Sequence, residues 1–166
     1  MSLDRKAAIR QELLDAQRAL LDALDQVGPE DWLRHSPTTA GWMVRDLLVH
    51  LTTAESGFVP TLRRMSVGEG GVPADFDPNR WNAGQLRRRN DSPPEQLRSE
   101  LESAHHQMLA LLESLDAAAL DHRGRLSSGA EGNTEDNFGL VAAHKRAHTA
   151  DIRAALQRRQ APATGA

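Results

Sequence analysis

The feature that most restricts this chain is a three-and-four spacing of apolar residues, sustained over segments far too long to be strands. Leu3, Ala7, Leu13, Leu14, Leu20, Leu21, Leu24 and Val27, with Arg10 and Gln17 between them, trace one face of a helix over 3–27. Gly28-Pro29 closes it. Val44, Leu47, Leu48, Leu51, Ala54 and Phe58 form a second stripe, and Leu97, Leu101, Ala104, Met108, Leu111, Leu112 and Leu115 a third. A fourth helix is expected over about 134–158. Only 4% of residues are aromatic and none is tyrosine, which disfavours a β-sandwich or barrel, while Ala, Leu, Arg, Glu and Gln favour helix. In 166 residues, four long helices make one domain around one core, an all-α four-helix bundle spanning 1–159 with a disordered tail over 160–166. Long links after the second helix and around the third permit crossover connections in place of a simple meander.

The punctuation between stripes is informative. Residues 29–42 read as a connector with a brief turn over 30–33, because Pro37, Thr38, Thr39 and Gly41 keep it out of regular helix. Gly57 and Pro60 are expected to bend the second helix or end it early, since Pro60 cannot donate to the Ser56 carbonyl and its ring clashes there. Residues 67–79 form a glycine- and proline-rich crossover, followed by a short helix over about 79–89. Ser92-Pro93-Pro94-Glu95 has the pattern of a capping box with Ser92 as the cap. Asp116 is placed to cap a short turn through Leu120, and Asn133 or Thr134 to cap the last helix after a polar loop over 121–133.

Charge and composition exclude several classes. The formal net charge of −3 gives no basic footprint for nucleic acid, and the runs Arg87-Arg88-Arg89 and Arg158-Arg159 read as solvated helix faces. Without cysteine there can be no disulfide, thiolate zinc site or cysteine nucleophile. No apolar stretch approaches the ~18 residues of a membrane span, and the first residues lead into an amphipathic helix instead of a signal segment. The expectation is a cytoplasmic protein with no membrane or nucleic-acid partner.

The chemistry concentrates in Gly139–Ile152. His144 and His148 are four residues apart, so on a helix they project from one face, which continues through Val141, Ile152 and Ala155. Imidazoles on an inward stripe need partners, and a divalent metal ion is one. His50, three after Leu47 and four before Ala54, offers a third ligand from the second helix. In a bundle, inward side chains of different helices converge on one point. Three neutral imidazoles suit Zn, Ni, Co or Fe better than Mg or Ca, and three protein ligands leave a coordination position open. Glu55 could act as a nearby base, although an exposed helix glutamate is the commoner outcome; Asp151 could accept an imidazole N–H. His105 and His106, being adjacent, cannot both face inward and read as mostly exposed. His35 and His122 sit in connectors, and Trp42 reads as core.

Gly41-Trp42-Met43-Val44-Arg45-Asp46-Leu47-Leu48-Val49-His50 resembles the Gly-Trp-Ser/Thr-Val-Arg-Asp-hydrophobic-x-x-His segment of the DinB-like superfamily, which includes the N-terminal domain of mycothiol-dependent maleylpyruvate isomerases. Asp77-Pro78-Asn79-Arg80-Trp81-Asn82, the segment at Ser92 and the final His-x-x-x-His follow in the family's order, so the resemblance spans nearly the whole chain. It implies an up-up-down-down bundle with a divalent metal, Zn or Ni foremost, on His50, His144 and His148. Met43 departs from the pattern, standing where a capping Ser or Thr is usual, and the isomerases' further C-terminal domain has no counterpart in this sequence. The activity implied is a metal-dependent S-transferase or isomerase that joins a low-molecular-weight thiol of the mycothiol or bacillithiol type to a small electrophilic substrate. Arg45, Arg80 and Arg87 are candidates for binding a carboxylate of the thiol or substrate. A metal-dependent hydrolase and a non-catalytic, stress-linked binding protein are the alternatives, and a symmetric homodimer is the expected assembly.

Overall fold

A computed structural model describes residues 2–158, with side chains from Asp4 onward; the expected tail over 160–166 lies outside the described residues. Four long helices dominate: α1 (Ser2–Leu24), α2 (Val44–Ser66), α4 (Pro94–Ser114) and α6 (Thr134–Gln157). Between them lie a 3-10 turn (Asp31–Leu33), a short helix α3 (Pro78–Arg88), a one-turn helix α5 (Ala117–Asp121) and a hairpin of β1 (Arg123–Arg125) and β2 (Glu131–Asn133). The four-helix bundle is as expected. The hairpin is not, because the polar, glycine-rich loop carries no alternating apolar pattern to announce it.

Contacts between side chains fix the helix directions. Arg5 Nε donates to Glu135 at 3.0 Å near the start of α1 and α6, and Arg153 donates to the Ala19 carbonyl at 3.2 Å near their ends, so these two run parallel. Lys6 reaches the Glu113 carbonyl at 2.7 Å while Arg98 pairs with Asp25 at 2.6 Å, so α1 and α4 are antiparallel. Asn137 meets Met65 and His144 meets His50, which sets α6 antiparallel to α2. In sequence order the directions are up, down, down, up, and not the up-up-down-down order that the resemblance implied. The connections explain this. The first link folds at one end of the bundle, held by the Asp31–Leu33 turn and an antiparallel bridge between His35 and Met43. The last link folds at the other end as α5 and the hairpin. Only the link between α2 and α4, which carries α3, returns along the length of the bundle.

Local chemistry sets the boundaries. Pro60 leaves α2 continuous to Ser66, because the tightly packed Phe58, Val59, Leu62 and Met65 hold the turns on both sides of it. Burial here outweighs the lost hydrogen bond. Met43 has no oxygen to cap α2, but Asp46 reaches back to its backbone N–H at 2.9 Å. Ser92 does not cap α4: the helix begins at Pro94 after Pro93, without a side-chain cap, while the Ser92 N–H donates to the Arg89 carbonyl. Asp116 caps α5 through the Ala119 N–H, and Asn133 with Asp136 forms a reciprocal capping box on α6.

The interior has two apolar halves. Ile9, Leu13, Phe58, Leu62, Met108 and Phe138 anchor one; Leu20, Leu47, Leu51, Leu97, Leu101 and Ile152 anchor the other. Between them each long helix places buried polar side chains: Gln17 from α1, Glu55 from α2, His105 from α4, and Lys145 with Thr149 from α6. Lys145 is fully buried and donates to Glu55 Oε1 at 2.7 Å and to His105 Nδ1 at 2.9 Å. Burial lowers the lysine's pKa and Glu55 works against that. His105 is thus interior, contrary to its reading as exposed, and so is Glu55. A buried charge is tolerated only with such partners.

Candidate metal centre and cavity

α2 and α6 cross in opposite directions and in direct contact, so residues on their shared seam meet at fixed levels. His50 comes from α2, and His144 and His148, one turn apart, from α6. The Nε2 atoms of His50 and His144 are 2.7 Å apart, and one ligand nitrogen from each of the three rings lies within 4.8 Å of the others. Trp42 closes one side, edge-on to His50 at 5.0 Å between centroids and stacked over His148 at 6.4 Å. Phe58 stands 5.8 Å from His144 on the other side. His144 and His148 flank the buried stripe of α6 instead of lying on it: Val141, Lys145, Thr149 and Ile152 fill the interior, and the histidines turn outward to a cavity.

The electrostatics favour neutral rings at His50 and His144. Burial, reinforced by His148, lowers His50 to a pKa of about 4, against a weaker opposing pull from Asn82. Burial, then His50, His148 and Lys145, lowers His144 to about 3. Two neutral Nε2 atoms at 2.7 Å present lone pairs to each other and need a proton or a cation between them. His148 donates from Nδ1 to Asp151 Oδ2 at 2.8 Å, which turns its Nε2 toward the other rings. Asp151 is positioned in turn by the hydroxyls of Thr38 and Thr39. Burial pushes the Asp151 carboxyl up, but hydrogen bonds from Thr38 and His148 outweigh it and hold the pKa below the usual range. His50 Nδ1 is buried without a hydrogen-bond partner. Three imidazole nitrogens around one point, one of the rings held by a carboxylate, are a donor set that fits a borderline divalent ion.

Beside the histidines lies a cavity of about 440 Å³. Its floor is a single stripe of α2: His50, Ala54, Gly57, Phe58, Thr61 and Arg64. The crossover and α3 roof it with Val72, Phe76 and Trp81, and the hairpin turn adds Ser127 and Ser128. Of the residues singled out in the sequence, the three histidines and Asp151 come together. Glu55 does not join them: five residues from His50, it points into the interior and is committed to Lys145. Arg45 clamps the α3–α4 turn by donating to the carbonyls of Arg89, Asn90 and Ser92. Arg80 and Arg87 are exposed on α3, and neither lines the cavity. Trp42 is half-buried, packed against one half of the core as well as against the histidines. Sequence reasoning passed over Arg64 and Phe76. The α2 stripe could have found Arg64, since the spacing that runs through Ala54 and Phe58 continues to it once Pro60 is known not to end the helix.

A family model for the DinB superfamily matches residues 10–152. The chain belongs to the DinB superfamily. No curated protein matches the sequence. Among solved structures, this DinB-superfamily chain is similar to YfiT from Bacillus subtilis, described as a probable metal-dependent hydrolase with an unusual four-helix bundle topology, at 20% identity and a TM-score of 0.78 over 96% of this chain and 90% of that one. It is also similar to a mycothiol-dependent maleylpyruvate isomerase, at 16% identity and a TM-score of 0.71, covering 90% of this chain but 59% of the isomerase. A third similar structure is the colibactin self-resistance protein ClbS in complex with a dsDNA, at 15% identity and a TM-score of 0.72 over 94% and 97% of the two chains. At such identities the likeness is one of fold.

Proposed function

We propose that His50, His144 and His148 hold one divalent transition metal, Zn or Ni foremost, and that the protein is a metal-dependent S-transferase or isomerase using a low-molecular-weight thiol. The observation that carries this reading is the open side of three convergent imidazoles on an apolar cavity where, among the described residues, Arg64 is the one Lys, Arg, Asp or Glu in the lining. Bound there, the metal would supply an open position that takes a thiol as thiolate and lowers its pKa. The remaining work falls to the chain. Asp151 holds His148 in the tautomer that presents Nε2. Trp42 and Phe58 shield the rings from water, and Phe76 and Trp81 give an electrophile an apolar surface to lie against. Thiolate attack on such an electrophile needs no further base once the thiol proton has been lost. That matches a cavity lined by no carboxylate among the described residues. The likeness to a mycothiol-dependent isomerase supports the thiol.

The likeness to YfiT over nearly the full length of both chains favours a second reading, a metal-dependent hydrolase in which water takes the thiol's place. Elemental analysis of untagged protein is expected to find about one equivalent of metal, lost in each of His50→Ala, His144→Ala and His148→Ala while the helical signal persists. Cobalt-substituted protein titrated with mycothiol or bacillithiol should then develop a thiolate charge-transfer band. Turnover of amide or ester substrates without thiol would select the hydrolase, and failure to take up any metal would overturn both readings.

A further inference from the structure

We infer that the cavity takes an elongated ligand with an apolar body, one end at the three-histidine centre and the other a carboxylate on Arg64. This rests on the proposed metal centre for the first end only. The floor of the cavity is one stripe of α2, and along it His50 and Arg64 are fourteen residues apart, about 21 Å at 1.5 Å per residue. The Arg64 guanidinium, bound to the Gly71 carbonyl of the crossover, marks the far end of the cavity. The middle of the stripe is kept low by Ala54 and Gly57, opposite Trp81, which leaves a passage where larger residues would divide the cavity.

The charge pattern selects the far end. Arg5, Arg10, Arg18, Arg34, Arg89 and Arg98 all pair with carboxylates. Arg64 pairs with none among the described residues, and neither do Arg63, Arg80, Arg87 or Arg88, but of these Arg64 alone lines the cavity; its Nη2 donates to the Gly71 carbonyl at 2.6 Å. That bond steadies the guanidinium against the crossover and leaves other N–H groups free. Among the described residues no acidic side chain lines the cavity to receive a cation, whereas Thr61, Ser127 and Ser128 add hydroxyls. A single, partly committed guanidinium suits a carboxylate, bound through two parallel hydrogen bonds, better than a phosphate dianion that calls for more donors.

The test uses two thiols of equal length, 11-mercaptoundecanoate and its neutral counterpart 11-mercaptoundecanol, titrated by tryptophan fluorescence into zinc-loaded and metal-free protein, wild type and Arg64→Gln. Arg64 is exposed, so its replacement is expected to leave the fold intact. The expected result is that the wild type prefers the carboxylate about tenfold and that Arg64→Gln abolishes the preference without weakening the neutral thiol. Equal binding of both thiols by the wild type would overturn the inference, as would a preference that survives in Arg64→Gln. If the carboxylate preference depends on Arg64 but neither thiol responds to zinc, the anion end stands and the metal reading falls.

Discussion

At the scale of single residues, the histidine centre and the buried Lys145 group illustrate two opposite uses of polar side chains. His148 is aimed by Asp151, and such supporting acceptors are commonly worth ten- to a hundredfold in metal affinity. Asp151→Ala is therefore expected to weaken metal binding by about that factor, as read by competition with a chromophoric chelator, while circular dichroism stays unchanged. Lys145 has no outlet to water. Replacing it with methionine strands the Glu55 carboxylate, and Lys145→Met should lower unfolding stability by about 3–5 kcal/mol in urea titration. Converting Glu55, His105 and Lys145 together to leucine, leucine and methionine should recover most of that loss, because no charge then remains buried. A triple variant as unstable as the single one would show that packing, not charge, dominates there. These residues were legible one helix at a time, yet Glu55 and His105 were read as exposed and Lys145 was passed over. Glu55 falls between Leu51 and Phe58, His105 between Leu101 and Met108, and Lys145 between Val141 and Ile152, each at core spacing. What the spacing does not carry is the identity of the partner, which comes from another helix.

At the scale of elements, the helices were legible because their periodicity is local, and the links were not because their structure is made elsewhere. Gly71 is the instructive position. A Cβ there would lie 1.8 Å from the Arg125 carbonyl oxygen, and one on Gly124 would lie 2.6 Å from the Gly71 nitrogen, so crossover and hairpin meet backbone to backbone. The Val72 N–H donates to the same Arg125 carbonyl at 2.8 Å. The sequence showed glycine in both links without showing that the two links touch. Gly71→Ala must push the crossover off the hairpin, since neither backbone can give way locally. The expected outcome is faster amide exchange over residues 70–76 and 123–126, with the four long helices as protected as in the wild type.

At the scale of the whole molecule, direction followed from the links. The resemblance gave the bundle, but only the pairs Arg5–Glu135, Lys6–Glu113 and Asn137–Met65 show α1 and α6 running one way and α2 and α4 the other. The proposed metal would join α2 to α6, across which the two apolar halves of the core are both continuous. A ligand that binds only the folded state stabilises it, by about 2.7 kcal/mol at a hundredfold excess over its Kd. Thermal unfolding is thus expected to shift upward with zinc in the wild type and to be indifferent to zinc in His144→Ala. No helix among the described residues is long and apolar enough to cross a membrane.

The roof of the cavity has a different standing from its floor. The α2 floor and the α6 residues beside it belong to helices whose other faces build the core, whereas α3 contributes no buried residue at all. Substitutions in Val72, Phe76 or Trp81 therefore change what the cavity accepts without drawing on the stability of the bundle. Residues 72–82 thus shape the fit of a ligand's apolar body apart from core packing, whereas on α2 Phe58 serves core and cavity at once.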